Sequence, residues 1–332
     1  MNETLTQPRI MPAEWESHQV VLMSWPNEDT DWVEILPEVT ACYSEIISRI
    51  LEYEKVILIA PEGCNPLPSH PNLSVIHLPY NDTWTRDYGP ITVKLADGSL
   101  RYLDFAFNGW GLKFAADRDN LVASRLIKMM ELERENHLGF VLEGGSIESD
   151  GKGMILTTST CLESPNRNGD LSRNEIEEYL KNALGAKSIY WLECSPLEGD
   201  DTDAHIDTIA RLAPDNTIIY VGCDDPDNVN YHNLLDIERQ LREYRTPEGR
   251  PFNLVRLPSP DDIDGNPATY ANFLVSPRAV FVPTYGQPDN DTKAIQAIRS
   301  VYHDRDIIGI DCRALIKQHG SLHCATMQLP II

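Results

Sequence analysis

Four ionisable side chains recur at a spacing that suggests a common role. Asp87, Glu143, His205 and Cys324 are separated by 56, 62 and 119 residues, the last interval close to twice each of the others. Each sits in a polar stretch: "NDTWTRDYGP" (81–90), "LEGGSIESDGKG" (142–153), "DDTDAHIDTIARL" (200–212) and "GSLHCATMQLP" (320–330). A fifth stretch of the same kind, "DGNPATYANFLV" (264–275), carries no such residue at its centre. Asp207 lies two residues after His205, which puts both on one face if "HID" is a strand, and Asp201 and Asp203 share that parity. Brought together, these stretches supply a thiol, an imidazole and at least three carboxylates.

A thiol that attacks an acyl carbon needs neutral donors for the developing oxyanion. Several carboxylates would repel that oxyanion. They suit a planar cation, and the guanidinium group matches carboxylates through its fork of N–H donors. Thiolate attack on a guanidinium carbon generates no oxyanion. Two carboxylates also hold the group protonated and fix its plane for approach of the sulfur from one face. A histidine can give a proton to departing ammonia and later take one from water. Plainer readings exist for each residue. Cys324 could be an apolar filler, Asp87 a turn residue before Gly-Pro, Glu143 a strand end, and His205 a satisfied core histidine. Their matched positions favour the chemical reading. His323 is assigned a structural role, since one site needs one proton shuttle. Arg167, in "SPNRNGD", belongs to a loop from which it could reach a site carboxylate.

The elements that would have to position these groups repeat. An apolar run, a polar loop, an amphipathic helix and a second apolar run occur five times. The strands 20–26 and 55–60 flank a helix near 36–53. Strands 101–107 and 140–145 flank a helix near 118–133. Strands 153–159 and 188–193 flank helix 173–184, and strands 217–222 and 252–257 flank helix 231–244. Strands 279–286 and 306–311 flank helix 291–302, whose Ala294, Ile295, Ala297, Ile298 and Val301 form one stripe. Five modules of roughly 60 residues point to a repeat or closed radial architecture. An open α/β sheet is the ordinary alternative. No G-x-G-x-x-G follows the first strand, so a dinucleotide fold has no support. If equivalent places face a common axis, the last cysteine of the chain reaches the centre of the molecule.

Composition narrows the partners. The net charge of −23 argues against nucleic acid and is compatible with attraction of a cationic substrate. No run of about 18 apolar residues predicts a membrane span. The N-terminus has no basic start followed by an apolar stretch, so a cytoplasmic protein is expected. The seven cysteines are odd in number, widely spaced and contain no C-x-x-C, which argues against a structural zinc site or a disulfide scaffold.

The chain resembles the agmatine deiminase and bacterial (Porphyromonas-type) peptidylarginine deiminase family. The resemblance is carried jointly by "MPAEWESHQVVLMSWP", "TWTRDYGP", "LEGGSIESDGKGMILTTSTCLESPNRN", "DTDAHIDTIARL", "VPTYG" and "LHCATMQLP", which span nearly the whole sequence. It implies a single catalytic domain over residues 1–332, a five-bladed α/β-propeller (the pentein, guanidine-modifying fold) of pseudo-fivefold ββαβ modules. It also implies hydrolysis of a guanidinium to a ureido group through a Cys-thiouronium, with release of ammonia and with neither metal nor organic cofactor. By the same resemblance Cys324 is the nucleophile and His205 the general acid/base. Glu143 orients His205, Asp87 and Asp207 bind the guanidinium, and Trp84 and Trp110 (in "FNGWG") line the substrate channel. The family's glycine-rich run and Asn before the His-Cys pair are replaced here by "KQHGSLHC". Agmatine leads as substrate, with N-carbamoylputrescine as product. Peptidyl-arginine is second and free arginine third, for want of an Arg pair for its carboxylate. Homo-oligomer formation is left open. So are three rival activities: a guanidinium-binding module without turnover, a zinc hydrolase using His205, Asp207 and Cys324, and amidino transfer to an amine.

Overall fold

The computed structural model describes residues 7–16 and 20–331. Ser17, His18 and Gln19 of the first motif therefore lie outside the described residues. The apolar runs form five separate sheets of three or four strands with helices between them, a mixed α/β architecture. Each sheet has the same order. An inner strand pairs antiparallel with a middle strand, a helix crosses over, and an outer strand returns parallel to the middle one. Thus Ala210–Ala213 pairs antiparallel with Thr217–Gly222, and Asn253–Pro258 lies parallel beyond it after the helix Tyr231–Glu243. The sets Ile147–Ser149, Met154–Thr158, Ser188–Leu192 and Leu274–Val275, Ala279–Thr284, Asp306–Asp311 repeat it.

Middle strands are buried along most of their length, and completely in Thr217–Gly222, Met154–Thr158 and Val20–Ser24. Sandwiched between two strands and helices, they read as continuous apolar runs, which is why the sequence exposes them clearly. Each helix buries one stripe. In Leu36–Leu51 that stripe is Val39, Cys42, Tyr43, Ile46, Ile47 and Ile50. The helix Arg173–Leu184 starts at a Ser172–Glu175 capping box and stops at Gly185, whose φ of 72° suits glycine.

The second module departs from expectation. Its helix is Val122–Met129, shorter than 118–133, and its outer strand is Arg134–Val141, earlier than 140–145. That strand is a sheet edge, largely exposed and polar, with a register shift opposite Phe105 and Ala106. An edge strand need not be apolar, so hydrophobicity alone placed it too late. The last helix, Pro288–Val301, begins three residues before 291, with proline in its first turn, where the missing N–H costs nothing.

The two chain ends are stitched into neighbouring sheets. Met327–Leu329 pairs antiparallel with Val20–Ser24, making the final strand the inner strand of the first sheet. Arg9–Ile10 adds an edge to the second sheet through Ile91–Leu95. The residues around Cys324 are thereby held on both sides, between the 3-10 turn Leu315–Gln318 and this strand. Among the described residues no helix is long and apolar enough to cross a membrane.

Leu329 is fully buried at this closure. Its replacement by alanine is expected to cost about 2–4 kcal/mol of unfolding free energy in chemical denaturation. A loss below about 0.5 kcal/mol, the range of ordinary surface substitutions, would mean that the terminal strand does not hold the fold together.

Candidate active site

The polar stretches run from the outer strand of one sheet to the inner strand of the next, so their central residues are delivered inward. Asp87 lies on the helical turn Thr85–Tyr88, and Glu143 immediately precedes the turn Gly144–Ser146. His205 and Asp207 sit at the start of a 3-10 turn, Ile206–Thr208, and not on a strand. The alternating-face argument for "HID" therefore fails, although both side chains still reach the same centre. Asp87, Glu143, His205, Asp207 and Cys324 are all buried.

Gly145 marks where they converge. A Cβ placed there would lie 2.6 Å from His205 Nδ1, 2.8 Å from Asp87 Oδ1 and 3.1 Å from Asp207 Oδ2. Only a residue without a side chain leaves this space open. The Gly145 N–H donates to Asp87 Oδ1 at 2.9 Å, and Trp110 Nε1 donates to Asp87 Oδ2 at 2.9 Å. Cys324 Sγ is 3.8 Å from Asp207 Oδ2 and accepts from Asn272 Nδ2 at 3.1 Å. The Asn272 Oδ1 in turn accepts the backbone N–H groups of His323 and Cys324 at 2.9 and 3.2 Å. Asn272 comes from the fifth polar stretch, the one without an ionisable residue at its centre.

Two buried arginine clusters surround this centre. The Arg167 Nε donates to both oxygens of Glu143 at 2.9 Å, and its Nη1 donates to Asp203 Oδ2 at 2.6 Å. Glu143 Oε2 stands 4.0 Å from His205 Nε2, beyond hydrogen-bond reach, so its close partner here is Arg167. On the other side His323 bridges two carboxylates, Nδ1 to Asp207 Oδ2 and Nε2 to Glu14 Oε2, both at 2.7 Å. Arg211 closes that cluster, donating to Glu14 Oε2 at 2.9 Å and also to Glu148. Sequence reading passed over Glu14, Glu148 and Arg211 because the first lies outside the repeat and the others stand on strands. The signal available was charge at positions where an inner strand should be apolar.

The environment drives the carboxylates apart. Burial alone would push Asp207 up, but the His323 hydrogen bond and charge, with His205 and Arg211, hold it below the usual carboxylate value. Burial pushes Asp87 up, Asp207 adds to this, and His205 and the Trp110 N–H only partly oppose it. Burial resists charge on His205, yet Asp87, Cys161 and Glu143 outweigh it and hold the imidazolium well above its ordinary value. The Cys324 thiol is pushed well up by burial and then by Asp207 and Asp87. Oδ1 of Asp207 and both ring nitrogens of His205 have no hydrogen-bond partner among the described residues. The centre therefore has one unused acceptor, Asp207 Oδ1, beside an imidazolium whose two N–H groups find no acceptor among the described residues.

Both tryptophans are buried nearby. Trp110 lies on a turn, Gly109–Leu112, with φ values of 70°, 55°, 81° and 68°. Asn108 and glycines on either side make that left-handed path accessible. Trp84 packs against Gly320, where a Cβ would fall 2.4 Å from its ring, and against Trp32 at 5.5 Å between centroids. A cavity of about 630 Å³ elsewhere, lined by Glu198, Asp224, Asp225, Asp261 and Lys293 among others, contains none of the residues of this centre.

The profile of the Porphyromonas-type peptidyl-arginine deiminase family matches residues 10–330. The chain is 46% identical to a Porphyromonas gingivalis protein solved as a candidate arginine deiminase. That match has a TM-score of 0.91 and covers 97% of this chain and 98% of the other. An agmatine deiminase of C. jejuni, solved as a Cys-to-Ser variant with substrate bound, is 36% identical with a TM-score of 0.92 over 99% and 98% of the two chains. The agmatine deiminase of Stutzerimonas stutzeri is 30% identical, covering 96% of this chain and 95% of its own.

Gly145→Ala is expected to lower kcat/KM by about two orders of magnitude, because the methyl displaces His205 or Asp87 by the better part of an ångström. The folded protein should remain recoverable, with a near-native circular dichroism spectrum. Near-native turnover in this variant would mean that the reacting groups do not meet at Gly145.

Proposed function

The chain belongs to the Porphyromonas-type peptidyl-arginine deiminase family, and from that membership we propose that it hydrolyses agmatine to N-carbamoylputrescine and ammonia. The observation that carries this reading is the partnerless Oδ1 of Asp207, on a carboxylate whose other oxygen lies 3.8 Å from Cys324 Sγ. A guanidinium donating to Asp207 and Asp87 would satisfy that oxygen and present its carbon to the sulfur. The proposal includes the arrangement of the five sheets as blades of one propeller domain over residues 1–332, with the site at its axis.

Binding of the cation neutralises the field that keeps Cys324 protonated, and the thiol releases its proton to solvent. The thiolate forms a C–S bond to the guanidinium carbon. His205, protonated in the empty site, transfers its proton to an NH2 group, the C–N bond breaks and ammonia leaves a cationic thiouronium. The neutral His205 then takes a proton from water as the hydroxide adds to the same carbon. The adduct's hydroxyl gives up its proton to solvent as the C–S bond breaks, thiolate is regenerated and the neutral ureido product departs. Asp87 and Asp207 face positive charge at every stage, so their negative charge stabilises the path. Glu143, tied to Arg167, sits behind His205 and contributes charge at 4.0 Å. Trp84 and Trp110 are assigned to the walls around the aliphatic chain.

Agmatine is favoured over arginine by the local cations. Arg167 and Arg211 each hydrogen-bond a carboxylate, so a substrate α-carboxylate finds no ready partner in either. A second reading, free arginine, is favoured by the similarity to the P. gingivalis protein.

Ammonia release should be measured with agmatine, arginine and an arginine-containing peptide in parallel. Agmatine is expected to give the highest kcat/KM, and a preference for either of the others overturns the assignment. Cys324→Ser should lose turnover by at least about a thousandfold while retaining ligand binding. Asp207→Asn should weaken binding by about 1.5–3 kcal/mol, the range of a charge-assisted hydrogen bond. Ammonia release at the native rate from Cys324→Ser removes the nucleophile.

The pH profile of kcat/KM should also be distinctive. Activity falls on the acid side as Asp87, whose proton affinity burial raises, takes up a proton and loses its charge toward the cation. It falls on the alkaline side as His205 loses its proton, well above 6.5. An alkaline limb centred on the ordinary imidazole value would contradict an imidazolium held by Asp87.

A further inference from the structure

We propose that the turn Gly109–Leu112 is the gate of this site and that Lys113 is the positioning residue that holds it shut. The inference rests on Cys324 and Asp87 being the groups a substrate must reach, and adds how they are reached. Glu143, His205 and Asp207 are fully buried, Asp87 is 3% exposed and Cys324 is 6% exposed. A guanidinium reaches them only if a covering segment moves.

The turn spans the wall between solvent and the centre. Trp110 Nε1 donates to Asp87 Oδ2 at 2.9 Å, while Leu112, two residues on, is 72% exposed. Swinging the turn outward breaks the bond to Asp87 and uncovers the carboxylate. The backbone is poised for that movement. Trp110 and Leu112 have φ values of 55° and 68°, a left-handed path that is costly for residues other than glycine. The facing loop has the same character at Asp203 and Ala204, with φ of 64° and 65°. Such segments keep their shape only while surrounding contacts outweigh the strain.

Lys113 supplies those contacts at the solvent end. Its Nζ donates to Asp203 Oδ1 at 2.7 Å and to the Asp201 backbone carbonyl at 2.6 Å. Arg167 Nη1 holds the other oxygen of Asp203 at 2.6 Å, so the catch is anchored to the buried side of the site. Asn108 secures the base of the turn. Its side chain accepts the Gly111 N–H at 2.9 Å and donates to the Asn166 carbonyl at 2.8 Å. Lys113 and Asp203 are both partly exposed, so their pair is weak enough to break without disturbing the buried pair of Arg167 and Glu143 beneath it. Gating segments are drawn from such weakly held parts of a fold.

Alkylation of the full chain by iodoacetamide, followed at each cysteine by peptide mass spectrometry at fixed pH, tests this without turnover. Cys324 of the native chain should react slowly, at a rate set by opening. Lys113→Gln should raise that rate by about fivefold or more, and leave fully buried Cys312 unchanged. High salt should speed alkylation of Cys324 in the native chain and not in the variant. Loss of the lysine charge can only raise the proton affinity of the thiol, which slows alkylation, so a gain in rate reports opening. An unchanged Cys324 rate in Lys113→Gln overturns the proposal. So does an equal gain at Cys312, which would mean general unfolding, or a native Cys324 rate matching half-buried Cys64, which would mean a site standing open. Because no substrate is turned over, a different substrate preference leaves this test unaffected.

Discussion

The molecule is organised around the difficulty of keeping several carboxylates close together in a dry interior. An isolated buried carboxylate takes up a proton rather than remain charged, so each ionised one requires a dedicated partner. Glu143 has Arg167, Asp207 has His323, and Glu14 and Glu148 share Arg211. Asp87 has no hydrogen-bonded cation of this kind among the described residues. It receives two neutral N–H donors and a neighbouring imidazolium, and its proton affinity is raised. The compensation stops one positive charge short at the place where Cys324, His205 and Asp207 meet. In the proposed mechanism that deficit selects a cation and keeps the thiol unreactive until one is bound.

Holding such a centre requires rigidity from many directions, and the repeated sheet supplies it. Each of five inner strands is entered from the outer strand of the preceding sheet. Every crossing segment therefore delivers a few side chains inward on a backbone anchored at both ends. Asn272 illustrates the economy of this plan. Its module brings no acid or base, yet its amide holds the backbone of His323 and Cys324, the thiol and Asp207 at once. The final strand closes the arrangement by pairing with the first sheet, so a residue eight positions from the end of the chain is among the most constrained in the protein.

The outer ring of charge has functional weight because removing one member leaves another unpaired. Glu14 near the N-terminus and His323 near the C-terminus meet across the whole length of the sequence. Through His323 the charge of Asp207 is held, with Glu14 one bridge removed from it. On the opposite flank Lys113 and Arg167 share Asp203, which links the exposed turn beside Trp110 to Glu143 behind the shuttle.

Residue order alone carried the elements and the type of chemistry. Buried middle strands and amphipathic helices write their periodicity directly into residue order, and a thiol, an imidazole and several carboxylates in repeating positions already called for a cation. It misplaced the strand Arg134–Val141, because a polar sheet edge has no such signature, and it misread "HID", because a 3-10 turn and a strand share too short a span to be told apart. Which ion pairs with which emerges from the folded chain. That Glu143 belongs to Arg167, that His323 stands between Asp207 and Glu14, and that Gly145 is empty space at the centre depends on contacts between segments tens to hundreds of residues apart. Electrostatic partnership follows distance in space, which residue order along the chain does not encode.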